Sequence, residues 1–257
     1  MIYVIKIGGN IIDNPDKLNG FLSHFAAIKG HKVLAHGGGK VASQLAEKLL
    51  MPQKMVQGRR VTDAETLDVI TMVCAGLINK NIVADLSALG CMSLGVCGAD
   101  ADLILADKRP VKEVDYGFVG DIKHVNGNVL FGWLSQGISP VISPVSHDGQ
   151  GQLLNTNADT IASVVATALS AYDSVSLIYC FEKMGVLLHV DDDTSVIPTL
   201  NEEQIEKLKN EGLIHSGMLP KLENAIKTVK QGVESVVIGH ADALPDIILG
   251  KSGTKIS

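Results

Sequence analysis

Aromatic side chains are scarce in this chain: one Trp, four Tyr and five Phe among 257 residues, 4% in all. A core so poor in rings is filled by Val, Ile, Leu and Ala, which favours parallel β-strands covered by helices on both faces. Cysteine is sparse too. Cys74, Cys91, Cys97 and Cys180 match no zinc or redox spacing and sit among apolar neighbours, so they read as free thiols in a reducing compartment. Positive charge is in deficit, with 22 Lys and Arg against 28 Asp and Glu and a formal net charge of −6. That balance excludes nonspecific adhesion to nucleic acid or an anionic membrane, and makes any lysine near an anion site informative. No uninterrupted apolar run reaches the roughly 18–20 residues of a membrane span, and no cationic leader precedes the first apolar residues. The expected location is the cytoplasm.

What is abundant is aliphatic. At 46% hydrophobic, the chain can bury a large core in one big domain or two lobes. Near-continuous apolar runs predict strands over 3–7, 32–35, 93–96, 140–142, 175–179 and 235–238. Helical patterns fall between them, over 16–28, 40–50, 64–89, 157–169, 201–212 and 220–231. This alternation is that of an α/β fold with a mostly parallel sheet. Two polar stretches break the rhythm. Residues 106–129 read as short antiparallel strands or a lid, and 145–157 as a hairpin-like loop entering a helix. A seam near 171–174 divides an N-terminal lobe, about 1–172, from a C-terminal lobe, about 173–257.

Two strand ends carry the chemistry. The run YVIKIGGN stops at Gly8 and Gly9, and KVLAHGGGK stops at Gly37, Gly38 and Gly39. A strand that ends in glycine before a helix leaves outward-pointing N–H groups that an anion can approach closely. Two such turns together suit several phosphates, or a phosphate and a carboxylate. Neither is a Walker loop or a dinucleotide fingerprint. A hydrolase oxyanion hole is the other use of HGGG, but no G-x-S-x-G nucleophile elbow occurs.

Lys6 sits inside an apolar strand, which is costly unless an anion meets it or the strand lies at a solvent-facing edge. In LLNTNADTIA, Asn155, Asn157 and Asp159 precede an apolar helix; one of them could cap it, and three exceed what a cap needs. Lys221 falls in the first turn of another helix, where the dipole disfavours cations, so it is either solvated or turned toward an anion. In GRRVTDAETLDVI, Arg60 is a candidate carboxylate reader, while Arg59 fits a surface role better. His36 reads as a hydrogen-bonded structural histidine in preference to a catalytic one.

The motifs K-x-G-G, H-G-G-G, G-x-R-V-T-D, Y-G-F-V-G-D, N-x-N-A-D and G-M-x-x-K occur in this order from the first residue to nearly the last. Together they resemble the amino acid kinase family, most closely its acylglutamate branch. The resemblance implies a carbamate kinase-like fold, a three-layer αβα sandwich around an open, mainly parallel central sheet, with the acylated amino acid in the N-terminal lobe and ATP in the C-terminal one. It implies catalytic roles for Lys6, Lys221 and Asp159, with the two lysines stabilising the transferring phosphoryl group and the acid organising them. Gly38, Gly39, Arg60 and Asn155 would hold the acceptor, and Gly8, Gly9, Glu182, Lys183 and Gly185 the phosphates or nucleotide. The implied reaction is ATP-dependent phosphorylation of the γ-carboxylate of N-acetyl-L-glutamate in arginine biosynthesis, with Mg²⁺ arriving on ATP and no metal site of the protein's own. An N-succinyl acceptor would need only a roomier or more cationic pocket.

Two departures matter. Relatives carry T-D-V-x-G where this chain reads FEKMG, with Glu182 for the aspartate and Lys183 for the valine. That segment favours the rival reading of a catalytically inactive ligand sensor, against which the three catalytic residues stand. The chain also begins directly in its first strand, without the N-terminal helix of arginine-inhibited hexamers, so a homodimer without arginine feedback is expected. Its interface would be the 64–89 helix with Leu67, Ile70, Val73 and Leu77, unless these pack in the core.

Overall fold

The computed structural model describes residues 1–56, 58–189, 191–212 and 218–257. Eight strands form one sheet in the order Thr199–Leu200, Thr254–Ile256, Ser235–His240, Val175–Phe181, Ile2–Ile7, His31–His36, Ser139–Ile142 and Ser93–Val96. Every neighbouring pair is parallel except Ser235–His240 with Thr254–Ile256. All six predicted strands lie in this sheet.

Strand alternation sorts the core into two layers. On one face, Ile2, Val4, Val33, Ala35, Leu177 and Val236 pack under helices Gly127–Ser135, Ala158–Leu169 and Leu219–Lys230. On the other, Ile5, Ile7, Leu34, Val141 and Ile178 meet Pro15–Ala27, Gly39–Lys48 and the long helix from residue 64. The six predicted helices are present to within two residues at each end. The helix Gly127–Ser135 was not anticipated, because GNVLFGWLS carries two glycines and aromatics that read as loop or strand.

The long helix, Ala64–Ala88, departs from expectation twice. Its middle, Thr71–Ile78, is wound as a π-helix, whose wide turns carry Cys74 and Ile78 beneath the HGGG turn. It is also long and apolar enough to cross a membrane by length and composition, with mean hydropathy 1.5 over one window, although Asp68 and Lys80 interrupt the run. In the fold, Leu67, Ile70 and Val73 turn into the core, and only Leu77 of the proposed interface residues is exposed.

A second sheet, ordered Leu153–Asn155, Val145–His147, Ile104–Lys108 and Gly120–Val125, accounts for both polar stretches. A bridge from Thr62 to Gly117 ties it to the segment before the long helix, and one from Val119 to Asn155 links its own two outer strands. Gly117 has φ +70°, and a Cβ there would collide with the Thr62 carbonyl. Gly117→Ala is therefore expected to lower the unfolding free energy by about 1–3 kcal/mol. In urea titration the midpoint should fall with the slope unchanged.

Candidate active site

Lys6 follows Ile2 and Val4 on one face of a strand that lies inside the sheet, so the solvent-facing edge is ruled out for it. That face meets the start of helix Ala158–Leu169, where Asp159 Oδ1 stands 2.6 Å from Lys6 Nζ, with the lysine side chain 15% exposed. Asn157 caps this helix through its side chain, accepting from the amides of Asp159 and Thr160 at 2.8 and 3.2 Å. Asn157 does the capping, which leaves the Asp159 carboxylate free for the lysine.

The two glycine turns lie side by side because their strands run parallel with Ile7 opposite His36. The Gly37 amide donates to the Ile7 carbonyl at 3.3 Å. Gly8 and Gly38 begin the helices Gly9–Ile12 and Gly39–Lys48, neither with a side-chain cap. First-turn amides without an intrahelical acceptor are what an anion needs. Gly38 has φ +156°, and a Cβ would lie 2.5 Å from Ile78 Cδ1 and 2.8 Å from Cys74 Sγ.

Among the described residues, no acid pairs with Arg60. Its guanidinium donates to Gln53 Oε1 at 2.5 Å, to Ser43 Oγ at 2.6 Å and to the Gly39 carbonyl at 3.0 Å. Burial lowers its pKa. Asn155 donates to Thr62 Oγ1 at 3.0 Å. Lys221, in the first turn of Leu219–Lys230, holds its ammonium 4.4 Å from the centre of the Phe181 ring. Burial lowers its pKa, the Asp159 charge opposes this, and the Lys6 charge adds to it. Gly217 of the G-M-x-x-K motif, like His215, lies outside the described residues.

These groups share one cavity of about 630 Å³, lined by Lys6, Gly8, Gly9, Gly38, Gly39, Arg60, Asn155, Asp159 and Lys221. Lys40, Arg59 and Arg109 also line it, so six cations face one carboxylate in a chain of net charge −6. Of these additional cations, Lys40 pairs with Asp13 at 3.3 Å and Arg109 with Asp121 at 2.6 Å. Sequence reasoning missed Arg109, Tyr179 and Asn224, which also line the cavity. They belong to no motif and reach it only through the sheet and helix packing. Glu182, Lys183 and Gly185 are not brought into it. Glu182 borders a separate small pocket with Lys17 and His240, Lys183 pairs with Asp193 at 2.7 Å, and Gly185 lies against Thr254 and Val196. Among the described residues, no cluster of three His, Cys, Asp or Glu side chains could hold a metal ion.

His36 is buried, with Nδ1 2.7 Å from the Gly37 carbonyl and Nε2 3.1 Å from Asn79 Nδ2. Nδ1 therefore carries the proton and donates, while Nε2 accepts. Burial pushes the imidazole pKa down to about 4, so it is neutral and both nitrogens are committed. It is a structural histidine.

Residues 1–240 match the amino acid kinase family. The chain is 52% identical over 248 residues to an acetylglutamate kinase of Cytophaga hutchinsonii, covering 96% of this chain and 94% of that one. It is 54% identical over 241 residues to an acetylglutamate kinase of Bacteroides fragilis, covering 94% and 92%. In architecture it resembles the carbamate kinase of Giardia lamblia bound to AMP-PNP, with a TM-score of 0.75 at 14% identity over 99% and 97% of the two chains.

Because the folded His36 pKa lies below its unfolded value near 6.5, its share of stability is intact above that pH. It should be lost as the solution is acidified from 6.5 toward 4. The loss should amount to about 3 kcal/mol. Unfolding free energies measured across this range should slope downward in the parent and less steeply in His36→Asn.

Proposed function

This chain belongs to the amino acid kinase family, and from that premise we propose that it transfers the γ-phosphoryl group of ATP to the γ-carboxylate of N-acetyl-L-glutamate, a step of arginine biosynthesis. The observation that carries this reading is the common cavity of Lys6 and Lys221, which come from opposite ends of the sequence and flank Asp159 beneath two glycine turns.

The acceptor carboxylate has an ordinary pKa near 4.3 and is ionised at neutral pH, so no general base is required. One of its oxygens bonds to the γ-phosphorus as the bond to the β-γ bridging oxygen breaks, giving an acyl phosphate and ADP. The chemical need is to hold two anions in line and to neutralise the charge spread over the phosphoryl oxygens. Lys6 and Lys221 serve as the cations, with Asp159 holding them apart and oriented. The amides of Gly8 and Gly9 receive ATP phosphates. Those of Gly38 and Gly39, with Arg60 and Asn155, receive the acceptor. Mg²⁺ enters as the ATP complex. The acceptor occupies a lobe of about residues 1–172 and the nucleotide one of about 173–257. This division follows the sheet, whose strands after residue 173 all lie to one side of Ile2–Ile7. From the family resemblance we also assign nucleotide contacts to Glu182, Lys183 and Gly185.

We further propose a homodimer, formed on the exposed apolar face of Met72 and Leu77 with Leu89, Met92 and Leu94 at the sheet edge. The four free thiols fit a cytoplasmic enzyme. A second reading of the acceptor is favoured by Arg59 on the cavity wall. It supplies a cation beyond those the mechanism uses, as a succinyl carboxylate would require.

In a coupled assay with N-acetyl-L-glutamate, N-succinyl-L-glutamate and plain L-glutamate, turnover should occur with an acylated substrate and not with glutamate. Turnover with none of the three would overturn the kinase reading in favour of a ligand sensor. Lys6→Ala and Lys221→Ala should each lower kcat by about 10²–10³ with modest change in KM. Near-normal kcat in either would remove that lysine from the mechanism.

A further inference from the structure

The strand Val175–Phe181 carries two rings, Tyr179 and Phe181, two residues apart and therefore on one face. It is the face of Lys6, whose register partner is Tyr179. The Tyr179 hydroxyl donates to the backbone carbonyl of Asp159 at 3.1 Å and accepts from Asn224 Nδ2 at 3.1 Å. The other Asn224 amide proton goes to Ser163 Oγ at 2.8 Å. Ser163 lies 3.0 Å from Thr228 Oγ1, which donates back to the Asn224 carbonyl at 2.7 Å. Every proton in this buried group has an acceptor, and the donors run outward from one asparagine. The network ties the strand to both helices, the one that begins with Asp159 and the one that carries Lys221. Asn224 is three residues, about one turn, beyond Lys221 on the same helix face.

Two positions past Tyr179, the ring of Phe181 receives the Lys221 ammonium at 4.4 Å. A half-buried ammonium loses hydration, and the negative face of an aromatic ring returns part of that attraction without neutralising it. Among the described residues, the other charged groups that act on this ammonium are Asp159, from its helix, and Lys6, from the first strand.

We infer that Phe181 is the seat of the Lys221 ammonium, and that Tyr179 and Asn224 fix the helix that delivers it, making all three positioning residues for phosphoryl transfer. The inference rests on the kinase reading for its catalytic meaning. The seat itself can be tested without turnover. In ligand-free protein labelled with ¹⁵N-lysine, the Lys221 Nζ resonance, assigned with Lys221→Arg, should titrate at lower pH in Phe181→Leu. The shift should be about half a unit to one unit, with Phe181→Tyr restoring it. In the same pair of variants, kcat should fall about tenfold in Phe181→Leu and recover in Phe181→Tyr, with the acceptor KM within about twofold throughout. The alkaline limb of the kcat profile should move with the Nζ titration. Tyr179→Phe keeps the ring and frees Asn224, and should lower kcat about fivefold at unchanged KM. An unshifted Nζ titration in Phe181→Leu overturns the seat, and parental kcat in Tyr179→Phe overturns the clamp. If the parent turns over no acyl-glutamate, the kinase reading fails while the Nζ titration still decides whether Phe181 holds the ammonium.

Discussion

The ion pair between Lys6 and Asp159 is the constraint from which the rest of the site is arranged. A lysine in an interior strand would be strongly destabilising with no counter-charge, and the helix that opens at Asn157 delivers one at 2.6 Å. The position of that helix follows from the apolar stripe of Ile161, Ala162, Val165 and Ala166, packed over the same sheet face as Ile2 and Val4. With Lys6 and Lys221 both on the cavity wall, the single Asp159 carboxylate leaves net positive charge where the glycine turns present their amides. The pair is thus a scaffold for cations and does not exhaust them.

Catalysis by such a site demands charge and alignment more than proton movement. His36, the one histidine beside the glycines, illustrates this. Its ring is neutral, and its two nitrogens are occupied by the Gly37 carbonyl and the Asn79 amide. It shapes the HGGG turn and has no free nitrogen to accept a proton from a substrate. An ionised carboxylate acceptor has none to give.

The strands and most helices were legible in sequence because they are covered on both faces and read as aliphatic runs with glycine or polar breaks. The site was legible where backbone and chemistry coincide: a lysine one step before a glycine turn, an acid just inside a capped helix, a cation in a first helical turn. What escaped had no local signature. Arg109, Tyr179 and Asn224 line the cavity because both sheets and the helix of Lys221 converge there, and even for Asn224, one turn beyond Lys221, only that packing shows which way the side chain faces. The expected interface residues Leu67, Ile70 and Val73 share a helix face with Leu77 in an ideal α-helix, but the π-wound segment shifts that phase, and they point inward. Glu182 and Lys183 were aligned with a nucleotide-binding segment by order along the chain, yet the bend after Phe181 carries them to other partners.

The excess of cations along the cavity wall, which persists after Lys40 and Arg109 are paired with Asp13 and Asp121, has a practical corollary for handling the protein. A concave, electropositive hollow in an otherwise acidic molecule is a trap for small oxyanions. Inorganic phosphate, sulfate or citrate in a storage buffer would gather there and compete with whatever the enzyme is offered. Weakly coordinating, low-salt media are the setting in which its behaviour is least distorted.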